Sequence, residues 1–410
     1  VPIDLDLLNA LLLGRTDRDE EATVLTLLRR ASPADLDHAL AHVDAAELFA
    51  SLDDRLFGPD NRTALRNLIL ERLESLSVPA LANVLYGLQA GHSDGADQET
   101  IERVFLGTRG LQLTELKNAV NERPDHHDLE ALVFGDVSDE SIRASILAHI
   151  AAEATGVHPG EAKVLCDIDD TVSAVLHDRR YPRGTVYPGV LALLDALDRG
   201  PTDEAFSLGD LTFVTARPGD VFGLIENHTR ATLRRAGIAS HSVLTGTFAA
   251  LASHDLMAAR KVANITHYHE LFPEYRLVFV GDSGQGDVTV GELIRERFPH
   301  AVDAVVIHDV VDTPPEVRER WAAQGVEAFD TYVGAAALLH RRGLISADAV
   351  ARVVDQTRAG LDEIAWESPE QEQRVRALVD RDIAAVAHET PDAAEAPTPH
   401  VAEPPGTTSA

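Results

Sequence analysis

Three observations predict an α/β fold: a doubly wound parallel sheet preceded by an all-α tandem-repeat domain. Short apolar runs alternate with helix-length segments through the middle of the chain. Three of these runs end in carboxylates, hydroxyls or glycines, and the first 155 residues match themselves at a constant offset. Strands alternating with helices pair in parallel and are covered on both faces. Such sheets place their ligands at the carboxyl ends of the strands.

The chain has 410 residues, 45% of them hydrophobic, which fits two or three domains and a sizeable core. A formal net charge of −31 argues against a nucleic-acid partner and against unassisted attraction to anionic lipid. The one cysteine, Cys166, excludes an internal disulfide and reads as packing in a buried strand. Val1-Pro2-Ile3-Asp4-Leu5-Asp6 lacks the basic start of a signal peptide. Charged residues interrupt every apolar run, so no transmembrane segment is expected. The expected protein is soluble and cytoplasmic.

In order along the chain, residues 1–155 come first. An ungapped shift of 77 residues sets Gly14 on Gly91, Asp17 on Asp94, Leu36 on Leu113, Phe57 on Phe134, Arg66 on Arg143 and Ile69 on Ile146. A constant offset over that span favours duplication. Val24, Leu27, Leu28, Leu36, Leu40 and Val43 follow helical spacing, Pro33 would start a helix, and Gly58-Pro59 would stop one. Each copy is expected to hold four or five short helices. The pattern resembles an annexin repeat at Gly14-Arg15-Thr16-Asp17 with Asp53 or Asp54, and at Gly91-His92-Ser93-Asp94 with Asp128 or Glu130. That resemblance implies Ca²⁺ in the turns and peripheral membrane contact through it. The plainer alternative is a helical interaction module in which these side chains are helix caps.

From residue 160 to 312 the texture is that of a sheet. Strands are expected at Val164–Ile168, Leu211–Thr215, Leu277–Gly281 and Ala304–Ile307, with helices near Val190–Leu197, Val221–Ala236 and Glu292–Phe298. The first strand ends in Asp167-Ile168-Asp169-Asp170-Thr171. Carboxylates at i and i+2 of an extended chain face one side, so Asp167 and Asp169 can share a ligand. Two anions together need a cation or a proton, and a hard ion such as Mg²⁺ suits oxygen donors. The second strand ends in Thr215-Ala216-Arg217-Pro218, the third in Gly281-Asp282-Ser283-Gly284-Gln285-Gly286-Asp287, whose glycines let backbone fold around an ion or phosphate. Lys261 is one of only three lysines, with Lys117 and Lys163, and its place before the third strand points to a compact positive charge for phosphate. The turn-rich stretch 177–189 is too short for a cap domain and reads as a flap over an open site. His267-Tyr268-His269 is not a metal pair on a helix, and His177, His241 and His254 read as surface residues.

The order DxDxT, strand-end Thr, Lys, GDSxxxD resembles the haloacid dehalogenase superfamily of aspartate-dependent phosphotransferases. The strings DIDDT and GDSGQGD, with Lys261 and Phe272-Pro273 between, are closest to the catalytic domain of actin-patch phosphatidate phosphatases, over about Lys163 to Asp312. The resemblance implies a Rossmann-like sheet and a phosphoric monoester hydrolase acting on a phosphorylated substrate, phospholipid among the options. It implies Asp167 as nucleophile and Asp169 as acid and base, with Thr215 and Lys261 on the phosphoryl oxygens. Arg217 and Ser283 would add substrate contacts, and Mg²⁺ would sit among Asp167, the carbonyl of Asp169, and Asp282 or Asp287. The chain departs from these phosphatases at Thr-Ala-Arg-Pro, where they often carry a Ser-Asn-Ser-Pro type segment. A second reading makes the repeats a Ca²⁺- and phospholipid-binding module with a subsidiary phosphatase-like domain.

Residues 313–387 are expected to be helices packed on the catalytic domain or forming an appendix, with Pro314-Pro315, Ser346 and Ser368-Pro369 at their starts. Residues 388–410, rich in Pro, Ala, Thr and Glu, are expected to be disordered.

Overall fold

A computed structural model describes residues 3–13, 17–52, 60–90, 94–122, 127–204, 211–218, 242–246 and 254–389. Its N-terminal part is helical: α1 (Leu5–Leu12), α2 (Arg18–Arg30), α3 (Pro33–His42), α4 (Ala45–Ser51), α5 (Asn61–Glu71), α6 (Val78–Gln89), α7 (Gly95–Gly107), α8 (Gly110–Asn121), a π-helical turn (Ala131–Asp136) and α9 (Glu140–Glu153). The starts of α7 and α8 fall 77 residues after those of α2 and α3. Asp17 and Asp94 are the N-caps of α2 and α7, in reciprocal capping boxes with Glu20 and Asp97 respectively. Asp128 accepts from Ala131 N at 3.0 Å. Asp17, Asp94 and Asp128 are therefore spent on helix ends and Glu130 pairs with His267 at 3.3 Å, while Gly14–Thr16, Asp53, Asp54 and Gly91–Ser93 lie outside the described residues. Asp97 also receives Arg62 at 2.7 Å and Arg66 at 2.8 Å, a buried link from α5 to α7.

Six strands follow: β1 (Ala162–Cys166), β2 (Leu211–Pro218), β3 (Ser242–Gly246), β4 (Arg276–Asp282), β5 (Val302–His308) and β6 (Val326–Phe329). They pair in parallel in the order β3-β2-β1-β4-β5-β6. Chain order reverses between β1 and β4, which makes their carboxyl ends the switch point of a Rossmann-like sheet. Between the strands run α10 (Val190–Arg199), α11 (His254–Leu271), α12 (Asp287–Arg297) and α13 (Pro315–Ala323); α14 (Tyr332–Arg341), α15 (Ala347–Glu363) and α16 (Pro369–Glu389) close the chain. Alternation puts Leu165, Phe279, Val305 and Ile307 on one face with α11 and the N-terminal helices. Val164, Cys166, Val278, Val280 and Val306 lie on the other with α10, α14 and α15.

Several expectations change here. β3 and β6 were absent from the four-strand reading; both are edge strands, and edge strands are short and carry little uninterrupted apolar sequence. β1 stops at Cys166, so Ile168 belongs to the loop. The helix after β4 begins at Asp287, five residues earlier than its apolar pattern, because a carboxylate suits a helix's first turn. The C-terminal stretch is not helix alone: β6 completes the sheet, and α14 and α15 cover its second face. The helix expected at 221–236 lies outside the described residues, as does the tail from 390; His388 and Glu389 close α16.

The helical part and the sheet share one core, and their seam is polar as well. Lys117 Nζ donates to Leu271 O at 2.8 Å and pairs with Glu274 at 2.7 Å. Asn118 donates to the Tyr275 hydroxyl at 2.7 Å and accepts from Lys163 Nζ at 2.7 Å. Lys163 also lies 4.6 Å and 4.5 Å from the ring centres of Phe272 and Tyr275. Burial pulls Lys117 down to about 8 against the pull of Glu274. Lys117→Met should cost about 3–5 kcal/mol, because Glu274 is left buried and unpaired. Urea unfolding should show that loss, and Lys117→Met with Glu274→Gln should recover much of it.

Candidate active site

β1 delivers the first acid. Asp167 N donates to Val280 O at 2.9 Å, carrying the ladder one residue past the strand and fixing Asp167 at the switch point. The chain then turns: Asp170 has φ +58°, in the left-handed region, where Asp is among the tolerated side chains. Its carboxylate accepts the backbone N–H groups of Val175, Leu176 and His177 at 2.7, 2.9 and 2.6 Å. His177 Nδ1 lies 3.1 Å from the same carboxylate. His177 is thus clamped to the catalytic loop, not a plain surface residue.

From the opposite side, α11 brings Lys261. Its Nζ donates to Asp167 Oδ1 and to Asp287 Oδ1, both at 2.6 Å. Asp282 ends β4, and its Oδ1 accepts Gly284 N at 2.6 Å. Two glycines let this turn close. A Cβ on Gly281 would stand 2.6 Å from Asp287 Oδ2, and one on Gly284 would stand 2.7 Å from the His177 ring. Asp167, Asp282 and Asp287 bring carboxylate oxygens within 4.8 Å of one another. The Oδ2 atoms of Asp167 and Asp282 are buried with no hydrogen-bond partner. Three carboxylates against one lysine leave excess negative charge and open oxygen lone pairs. That donor set fits a hard divalent cation.

Burial raises Asp167 to about 7, offset in part by Lys261 and reinforced by Asp287 and Asp169. Burial, then Asp287 and Asp167, also pushes Asp282 well above the carboxylate range. For Lys261, burial lowers the pKa, but Asp167 and Asp287 more than reverse this and keep it protonated. Displaced acids gathered at strand ends point to a functional site.

The structure therefore brings Asp167, Lys261, Asp282 and Asp287 into one cluster. Asp169 is half-buried beside it, and its carbonyl accepts Gln285 Nε2 at 3.3 Å. Thr215 lies in β2 two residues past Phe213, the partner of Cys166. The side chains of Thr215 and Arg217 lie outside the described residues. The Ser283 hydroxyl donates to Asp309 Oδ1 at 3.0 Å and accepts Val310 N at 3.0 Å, so it braces two loops. His267 stacks on Phe134 with ring centres 4.0 Å apart, whereas His269 meets Phe298; the two do not converge on a site.

Behind the loop stands a set of residues that the motif did not reveal. His308 Nδ1 donates to Asp170 O at 3.1 Å, and its Nε2 accepts from Arg180, whose guanidinium is held by Asp178 at 2.9 Å. Burial, and then Arg180, lowers His308 to about 4, so the ring is neutral at neutral pH. The Tyr332 hydroxyl donates to Thr171 O. Asp170 stood inside the motif; the other residues come from distant elements and carry no local signal. Arg318 joins Asp309 to Asp330 beside β5 and β6. Burial raises Asp330, but Arg318 and Arg381 outweigh this and hold it at about 2. Asp330 therefore contributes stability above the ordinary carboxylate pKa, and the contribution is lost as pH falls towards 2. Arg318→Gln should cost about 1–2 kcal/mol at pH 7 and much less at pH 2.5, by urea midpoints.

A Rossmann-like sheet with a buried carboxylate–lysine cluster at its switch point defines an α/β enzyme with an acidic catalytic centre. Residues 162–309 match the family described as phosphatidate phosphatase APP1, catalytic domain. The chain carries a phosphoric monoester hydrolase domain of that type. The matched stretch contains Asp167, Asp169, Lys261, Asp282 and Asp287. No curated protein and no solved structure matches the chain. No described helix is long and apolar enough to cross a membrane.

Proposed function

We propose that the chain hydrolyses a phosphomonoester, phosphatidate to diacylglycerol, through an aspartyl-phosphate on Asp167, with Mg²⁺ as cofactor. The observation that carries this reading is Asp167 itself: buried at the switch point inside the matched catalytic domain, with one carboxylate oxygen on Lys261 and the other without a partner. Lys261 opposes the burial that raises Asp167 and occupies its Oδ1, leaving Oδ2 as the oxygen to attack phosphorus once the carboxyl is ionised. The P–O bond to the alcohol breaks, and Asp169 at the mouth protonates the departing alkoxide. Asp169 then takes a proton from water, which attacks the acyl phosphate, releases inorganic phosphate and restores Asp167. Lys261 offsets charge on the phosphoryl oxygens, with Thr215 as a further donor. Mg²⁺ bound by Asp167, Asp282 and Asp287 would supply neutralising charge to the phosphate. Arg217 is assigned to the substrate, and Ser283 acts through the loop it braces.

The test is phosphate release from p-nitrophenyl phosphate and from phosphatidate vesicles, with Mg²⁺ and with EDTA. Release with Mg²⁺ that EDTA abolishes, and preference for the vesicles, is expected. Turnover of neither substrate would overturn the reading. Thermal unfolding gives a readout free of turnover: Mg²⁺ should raise the melting temperature of wild type, and much less that of Asp282→Asn.

A further inference from the structure

His308 ends β5 at the carboxyl edge of the sheet, in register with Asp282 on one side and Phe329 on the other. It is buried, and the proposed chemistry gives it no task. Its ring is boxed in: Phe329 stacks on it with centres 5.1 Å apart, and Tyr187 meets it edge-on at 4.5 Å. Arg180 also decides which ring nitrogen carries the hydrogen. A guanidinium only donates, so Nε2, 3.0 Å from Arg180, holds the lone pair. Nδ1 therefore carries the hydrogen and donates to Asp170 O at 3.1 Å. Arg180 is itself pinned. It donates to Asp178 through Nε at 3.1 Å and Nη2 at 2.9 Å, and to Asp330 O through Nη1 at 3.2 Å.

Asp170 follows Asp169 directly, and its backbone is in an uncommon state. A φ of +58° persists in a residue other than glycine only where the surroundings over-determine it. Three contacts do so here. The carboxylate holds the amides of residues 175–177, the amide donates to Ser173 O at 2.9 Å, and the carbonyl accepts from His308. The first two tie Asp170 to its own loop and flap, which can shift as one piece. His308 is the contact that reaches the sheet. On the other side, Asp167 N is tied to the sheet through Val280 O at 2.9 Å. Asp169 is thus suspended between two anchors, one on β4 and one on β5. Gln285 adds a long bond to its carbonyl at 3.3 Å, and Tyr332 a hold further on, at Thr171 O.

We propose that His308, held by Arg180 of the flap, positions Asp169 for its acid and base steps. It is a positioning residue, because it acts through the backbone of Asp170 and not on the reacting atoms. The assignment rests on the aspartyl-phosphate reading above, but on no particular alcohol. Without the donor, the buried carbonyl of Asp170 is left unpaired, the left-handed turn loses its link to the sheet, and Asp169 shifts against the leaving group. A displacement of about 1 Å costs on the order of 10²-fold in such a step. Asp167, Lys261, Asp282 and Asp287 are placed by β1, α11, β4 and α12 and stay where they are.

The test compares two soluble phosphomonoesters in Mg²⁺ with the full chain. p-Nitrophenyl phosphate has a leaving group that departs without a proton, whereas the alkoxide of benzyl phosphate needs one. Here kcat/KM reports transfer to Asp167, and kcat also reports hydrolysis of the acyl phosphate. In His308→Phe, kcat/KM for benzyl phosphate should fall roughly 10²-fold. That for p-nitrophenyl phosphate should fall by no more than about threefold. Its kcat should drop further, with a burst of p-nitrophenolate, because the same carboxyl activates the water. His308→Asn, which sets an amide N–H where Nδ1 stands, should restore most of the loss. Equal losses in kcat/KM on the two substrates, or a loss that His308→Asn does not restore, would mean a merely structural residue and overturn the assignment alone. Wild type inert towards both substrates would overturn the phosphatase reading and the assignment with it. Should His308→Phe fail to fold, Arg180→Gln with Asp178→Asn releases Nε2 and should show the same split at roughly tenfold.

Discussion

Asp167→Asn is expected to reduce phosphate release by roughly 10⁴-fold or more while the protein stays folded. The amide is nearly isosteric and keeps an oxygen for Lys261, which also retains Asp287 at 2.6 Å. What is lost is the ionised oxygen that attacks phosphorus. Stability should move the other way. Burial raises Asp167 from 3.8 to about 7, so the folded state holds its proton more tightly than the unfolded chain does. Wild-type stability without metal therefore falls as pH rises from about 4 to about 7, and this contribution disappears in the variant. In EDTA at pH 8, Asp167→Asn should be at least as stable as wild type. Urea titrations at pH 5 and pH 8 separate this from a collapsed site, which would lose stability at both. A variant that kept its turnover would end the nucleophile assignment.

Lys261→Met should lose both stability and activity. Its ammonium is the one described cation bonded to Asp167 and Asp287, and all three sit in the interior. Breaking such a buried pair costs about 3–5 kcal/mol, because the carboxylates remain without a counter-charge. They can escape by taking up protons, so the variant's deficit should shrink as pH falls from 8 to 5. Turnover should drop by roughly 10²–10³-fold, as for removal of one donor to a charged transition state. Lys261→Arg should rescue little, since a planar guanidinium cannot occupy a point-charge site between two carboxylates. Undiminished stability at pH 8 would show that a buried lysine is not what holds the cluster together.

The other two lysines add to that picture. The three lysines at 117, 163 and 261 have residue exposures of only 1%, 1% and 4%. Their scarcity in the sequence pointed to Lys261. It gave no sign that Lys117 and Lys163 would bind the helical part to β1 and to the end of α11 and the turn before β4. That seam joins residues more than 150 positions apart, such as Lys117 and Glu274, and no local pattern encodes such a pairing.

Alternation of apolar runs and helices, and the acids and glycines at strand ends, were local and therefore legible. They were enough for the α/β class, the central strands β1, β2, β4 and β5, and the cluster of Asp167, Lys261, Asp282 and Asp287. Edge strands β3 and β6 escaped because a short, half-covered strand needs little apolar sequence. The roles of Asp170, His308, Arg180 and Tyr332 were decided only by tertiary structure. Asp170, His308 and Tyr332 hold the backbone of the loop or its flap, Arg180 steadies His308, and a backbone partner leaves no mark on the partner's identity. The sequence by itself determined which carboxylates and which lysine would meet at the strand ends, since their types and spacing follow from strand geometry. Tertiary structure decided what holds them in place, because burial and long-range hydrogen bonds exist only once the chain has closed on itself.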